Sequence, residues 1–172
     1  MTDGYRTLLL MRHAKSDRPP GVGDHERPLS ARGFREAALA GDWMRANVSE
    51  VDAVLCSTAT RTRQTLQHTG ITAPVRYVDR IYDSTPGIVI EEINAVQSLF
   101  GEDPSTLLVV GHEPVMSSLA LGLADPDVSD ETAAEQIALK FPTSSIAVLR
   151  STGAWADVEP GGCELVSFHI AR

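Results

Sequence analysis

The chain is poor in cysteine, short of positive charge and free of long apolar runs, and each shortage removes a class of function. Cys56 and Cys163 are its two cysteines; they lie far apart and outside any C-x-x-C spacing, so reduced core or near-core thiols are expected rather than a metal site. No window approaches the roughly 18 consecutive apolar residues of a membrane helix. The N-terminus "MTDGYRTLLLMRH" lacks the basic flank and long apolar stretch of a secretory signal, and a soluble, cytoplasmic protein is the expectation. A formal net charge of -8 argues against nucleic acid or an anionic membrane as partner. It also makes any locally basic cluster informative. Repeats, low-complexity tracts and linkers are all missing. With 172 residues, 42% of them hydrophobic, the chain can build one sizeable core, and it reads as a single domain, residues 1–172.

What is present alternates between strand-like and helix-like segments. Thr7–Met11 is an unbroken apolar run that suits a strand buried on both faces, and Arg12-His13 follows at its tip. "LSARGFREAALAGDWMRANV" reads as a helix capped by Ser30. "DAVLCS" reads as a second buried strand, and "TATRTRQTLQHTG" as a helix capped by Thr58 and stopped by Gly70. Thr85 caps and Pro86 opens a helix that runs to Gly101. "STLLVVGHEPVMSSLALGLA" repeats the opening theme: an apolar strand, a tip at Gly111-His112, and a helix opened by Pro114. The acidic run "ADPDVSDETAAE" reads as a solvated loop, residues 125–135, and no role is assigned to it. The last thirty residues carry two or three strands around turns at Thr152-Gly153 and Gly161-Gly162, which suits an antiparallel ending.

This order predicts a three-layer α/β/α sandwich with a mostly parallel sheet and antiparallel strands near the C-terminus. Ligands bind such sheets in the crevice at the carboxyl ends of the strands, where Arg12-His13, Ser57 to Arg61, and Gly111-His112 all fall. Neutral imidazole can attack phosphorus, and guanidinium groups hold phosphate oxygens while neutralising the charge that builds during transfer. Arg61 sits in the first turn of its helix, where free amides and the dipole already favour an anion. Two histidines and two arginines at one pocket therefore suit phosphoryl transfer.

"LMRHAKSD" resembles the RHG signature of the histidine phosphatase superfamily, the phosphoglycerate mutase-like enzymes. "CSTATRTRQT" resembles their second block, and "VVGHEP" the block that supplies a second histidine. Within the superfamily, "RPLSARG", "RIYDSTP" and "FPTSSIAVL" are similar to the SixA-type phosphohistidine phosphatases, as is the short chain without large insertions. The resemblance covers roughly residues 6 to 170. It implies that His13 is the nucleophile, forming a transient phosphohistidine, that Arg12, Arg61 and His112 bind the transferred phosphoryl group, and that no metal or organic cofactor is required. Arg27 and Lys15 are candidate extra contacts to phosphate or to the rest of the substrate.

Two positions depart from the pattern: Ala14 replaces the glycine of the signature, and Thr58 stands where many members carry proline. Mutases and broad phosphatases of the superfamily use a carboxylate, usually Glu, as general acid; here Asp83 is the nearest candidate, and it equally allows a structural role before its helix. An imidazole leaving group needs less help than an alkoxide. The expectation is thus a phosphatase acting on a phosphorylated protein, a phosphohistidine protein phosphatase and a monomer. The alternatives are a small-molecule phosphomonoesterase, with a sugar phosphate or nucleotide as substrate, and a non-catalytic phosphate-binding protein. His25, His68 and His169 read as structural, and Trp43 and Trp155 as packing residues.

Overall fold

The computed structural model describes residues 4–172. Its twelve regular elements are β1 (Arg6–Arg12), α1 (Ala31–Asn47), β2 (Ala53–Ser57), α2 (Thr60–Thr69), β3 (Val75–Val78), α3 (Pro86–Asn94), α4 (Val96–Phe100), β4 (Thr106–Gly111), α5 (Val115–Leu123), α6 (Glu131–Leu139), β5 (Ile146–Ser151) and β6 (Glu164–His169). One six-stranded sheet runs in the order β3-β2-β4-β1-β5-β6. Its first four strands are mutually parallel, and β5 and β6 each pair antiparallel. The architecture is the predicted sandwich, with its antiparallel ending made of two strands and a single 3-10 turn, Trp155–Asp157, between them.

Apolar residues line both faces of the sheet, as a central strand covered on each side requires. Leu8 and Leu10 of β1 point with Leu55, Leu107 and Val109 into a core closed by Val89, Ile93, Met116, Leu119 and Trp155. Leu9 and Met11 point the other way, with Val54, Cys56 and Val110, against Met44 of α1 and Leu66 of α2. Trp155 is fully buried, and its indole N–H donates to the Pro104 carbonyl at 2.7 Å. Both thiols are free and buried; burial pushes Cys56 up to about 12 and Cys163 up to about 11. Among the described residues no helix is long and apolar enough to cross a membrane.

Helix ends follow the local chemistry at most positions. Ser30 accepts from the Gly33 amide, and Thr85 accepts from the Ile88 amide with Pro86 in the first turn. Gly70 and Gly101 close their helices in the left-handed region. Three expectations need correction. Thr58 does not cap α2: Ala59 occupies that position and Ser57 Oγ accepts its amide instead. The helix expected from Pro86 to Gly101 is divided at Ala95. The acidic segment is not one loop: Asp130 accepts the Ala133 amide and starts α6, whose Ala133 and Ile137 are buried one turn apart. That segment lies away from the pocket. Ala124 bridges to Cys163, and the Asp130 amide donates to Leu165, which lies toward the start of β6, at the end of the sheet opposite the tip of β1.

Candidate active site

The register of the parallel strands assembles the site. Arg12 pairs with Gly111 across β1 and β4, and the His13 amide donates to the Gly111 carbonyl at 3.0 Å, so His13 and His112 emerge side by side. Their ring centroids are 5.3 Å apart. β2 ends beside β4 and delivers Ser57, whose Oγ lies 2.8 Å from His112 Nε2. Arg61 follows in the first turn of α2.

His13 is 8% exposed. Its Nδ1 lies 2.7 Å from the Ala14 carbonyl, an acceptor only, so Nδ1 carries the proton and Nε2 keeps its lone pair. Burial pulls its pKa down to about 3, against the opposing Ala14 hydrogen bond and with the charges of Arg61 and Arg12 adding to the effect. His112 is drawn down to about 4, by burial first and then by Arg61. Both rings are neutral at neutral pH. The segment is gripped from several sides: the Ala14 amide donates to Thr65 Oγ1 on α2 at 2.9 Å, and the Ser144 amide is shared between the Arg12 and His13 carbonyls, 3.2 Å from each. Apart from glycines, the described residues with positive φ are Asp83 and Ser144. Ala14 is thus in ordinary backbone, and alanine costs nothing there.

Arg12 donates from Nη1 to the Phe141 carbonyl at 2.9 Å. Its Nε is buried without a protein partner, as are His112 Nδ1 and the hydroxyls of Ser144 and Ser145. Desolvation lowers the Arg12 pKa while the charge of Glu113 acts the other way; a guanidinium stays protonated regardless. Arg61 is 7% exposed. It donates from Nη1 to the Asp24 carbonyl at 2.7 Å and from Nη2 to Asp24 Oδ2 at 3.2 Å.

Asp24 is the part of the site that sequence reading missed. Its carboxylate also accepts from Tyr82 OH at 2.5 Å and from Arg27 Nη1 at 2.8 Å. The Tyr82 hydrogen bond, then those of Arg27 and Arg61, hold it well below the usual carboxylate range. Tyr82 stands edge-on to His112 with centroids 5.6 Å apart, and Arg61 lies 5.9 Å from the Tyr82 ring centre. The D-x-x-R spacing of Asp24 and Arg27 is the only trace of this cluster in the sequence.

The other expected residues are placed unequally. Arg27 joins the cluster through Asp24 and also bonds Ser16 Oγ and the Asp17 carbonyl. Lys15 is exposed just behind His13, and its carbonyl accepts from the amide and the hydroxyl of Ser30. Asp83 is exposed in left-handed backbone beside Tyr82, and no hydrogen bond among the described residues ties its carboxylate to the histidines or arginines. His25 sits at the rim, 3.0 Å from Thr58 Oγ1 and edge-on to Tyr82. His68 and His169 pack elsewhere, against Phe34 and Trp43. Among the described residues no cluster of three or more His, Cys, Asp or Glu could hold a metal ion.

Comparisons with known proteins bear on the family and the fold. The model of the histidine phosphatase superfamily (branch 1) matches residues 8–89. An uncharacterized protein of Mycobacterium tuberculosis is 62% identical over 94% of this chain and all of its own length. Phosphohistidine phosphatase SixA of Escherichia coli is 28% identical over 67% of this chain and 73% of its own. A solved structure from Nakamurella multipartitia, assigned as a phosphohistidine phosphatase SixA, shares 42% identity over 96% of both chains with a TM-score of 0.86. A neutral histidine pair, His13 buried and His112 half-buried beside Arg12 and Arg61, on this sheet and with these relatives, makes the chain a member of the histidine phosphatase superfamily and a phosphatase.

Proposed function

We propose that the protein is a protein phosphohistidine phosphatase working through His13. Nε2 of His13 attacks phosphorus in line, the bond from phosphorus to the substrate nitrogen breaks with its electron pair leaving on that nitrogen, and water then hydrolyses the phosphohistidine on His13. Arg12, Arg61 and His112 hold the three phosphoryl oxygens and meet the charge that develops there. Arg27 acts through Asp24, and Lys15 supplies positive charge at the rim. The observation that carries the reading is the state of His13: Nδ1–H is committed to the Ala14 carbonyl, Nε2 is free, and burial keeps the ring neutral. The phosphohistidine activity named for relatives at 42% and 28% identity supports the substrate. So do the described carboxylates near the site: Asp83 is exposed and bonds none of the histidines or arginines, Asp24 is held ionised, and Glu113 is engaged by Ser117.

Two measurements test it. A labelled substrate, quenched in alkali, should leave base-stable, acid-labile phosphate on His13, and label on another residue would overturn the assignment. Steady-state assays should favour a phosphohistidine protein over unactivated alkyl phosphates. Asp83→Asn should keep phosphohistidine turnover within about tenfold of wild type. Efficient sugar-phosphate hydrolysis that collapses in Asp83→Asn would instead make Asp83 the general acid and the protein a small-molecule phosphatase.

A further inference from the structure

Asp24 is a carboxylate in a place built for anions. Three donors from three parts of the chain converge on it: Arg27 on Oδ1, and Tyr82 and Arg61 on Oδ2. A carboxylate offers about four lone-pair positions, so Oδ1 retains one. The side chain is 55% exposed, whereas that of Arg61 beneath it is 8% exposed. Asp24 therefore faces the mouth and His13 the floor. In-line displacement puts the leaving group opposite the nucleophile, which with His13 on the floor is toward the mouth.

Resting on the phosphohistidine reading above, we propose that Asp24 is a specificity-determining residue that accepts a hydrogen bond from the remote N–H of a protonated phosphoimidazole leaving group. Protonated at that nitrogen, the substrate ring is a cation. As His13 Nε2 bonds to phosphorus and the P–N bond breaks, the released pair neutralises the ring, and imidazole departs with its N–H intact. No proton has to pass from the enzyme. The fixed negative charge of Asp24 favours the cationic ring before departure, which is the task that a general acid performs for an alkoxide. It also disfavours substrates carrying a second anionic group beside the phosphate, such as nucleotides and phosphorylated acids.

The charged and titratable groups facing Asp24 are Arg27 from its own loop, Arg61 from α2, and Tyr82 from the turn before α3; His112 stands behind Tyr82, and His25 and Glu26 are its neighbours in sequence. These set the background against which a pH profile is read. The full chain and Asp24→Asn should be assayed on phosphoimidazole and on 4-nitrophenyl phosphate from pH 5 to pH 9. Asp24→Asn should lose at least about 10-fold more kcat/KM on phosphoimidazole than on the aryl phosphate. In the wild type the basic limb of kcat on phosphoimidazole, which reports the bound complex, should lie about one pH unit above that of kcat/KM, which reports the free substrate. Equal losses on both substrates, or coincident limbs in the wild type, would reduce Asp24 to a support for Arg61 and overturn the proposal. The limb comparison needs no variant and decides the matter even if Asp24→Asn misfolds. Wild-type turnover of the aryl phosphate with none of phosphoimidazole would instead sink the phosphohistidine reading itself.

Discussion

His13 and His112 are kept neutral by burial among guanidinium groups, and that arrangement has a measurable cost in acid. An unfolded histidine titrates near 6.5, whereas folded His13 takes its proton only near 3. Acidification therefore loads protons onto the unfolded chain first, and stability falls as pH drops below the unfolded value toward the folded one. Between pH 7 and pH 5 His13 alone should cost about 2 kcal/mol, or roughly 5 °C in Tm for a domain of this size. Thermal scans in phosphate-free buffer should show a smaller decline over that interval in His13→Asn than in the wild type. Matching declines would mean that folded His13 titrates near its ordinary value rather than well below it.

At the level of elements, two glycines of α1 decide how closely its neighbours approach. A Cβ on Gly41 would lie 2.0 Å from the Thr69 carbonyl oxygen on α2, and one on Gly33 would lie 2.1 Å from the Lys15 carbonyl oxygen. Both obstacles are backbone, so a helix or a loop has to move. Gly41→Ala should destabilise by about 1–3 kcal/mol or more, seen as a lower Tm with kcat nearly intact. Gly33→Ala presses on the loop two residues beyond His13 and should lower kcat more for each degree of Tm lost. Equal kinetic effects of the two variants would show that the loop absorbs the displacement. Caps and stops at Ser30, Thr85, Gly70 and Gly101 were legible because each acts within a few residues of its own helix. Thr58 misled because two hydroxyls compete at the start of α2: Ser57 Oγ takes the Ala59 amide, and Thr58 Oγ1 meets His25, 33 residues away. α6 was hidden because its charge suits a loop, while its buried pair, Ala133 and Ile137, acquires meaning only once something covers it.

For the whole molecule, a chain of net charge -8 concentrates Arg12, Arg27 and Arg61 at the carboxyl ends of its strands. An anion that binds only the folded state should therefore stabilise it, by about 2.7 kcal/mol at a hundred times its Kd. Inorganic phosphate or vanadate should raise the wild-type Tm and inhibit competitively. Arg61→Ala should lose both effects together with catalysis by roughly 100-fold or more, with Lys only a partial rescue because it lacks the planar fork. Stabilisation that survives in Arg61→Ala would place the anion elsewhere.

The linear order of residues was enough for the sandwich, the parallel core of the sheet and the convergence of His13, Arg12, Arg61 and His112. Each follows from local rules: apolar runs make buried strands, and parallel strands end on one edge. The mutual geometry was settled only in three dimensions. Register set Arg12 against Gly111 and so brought the two rings within 5.3 Å of each other, while burial by residues distant in sequence moved both away from their ordinary pKa. Asp24 shows the difference most plainly. It is one of 23 acidic residues, unmarked in its own segment, and it becomes part of the site because Arg61, 37 residues on, and Tyr82, 58 residues on, converge upon it. A hydrogen bond across that separation leaves no local pattern; it exists only because the sheet brings the loops after β1, β2 and β3 to the same edge.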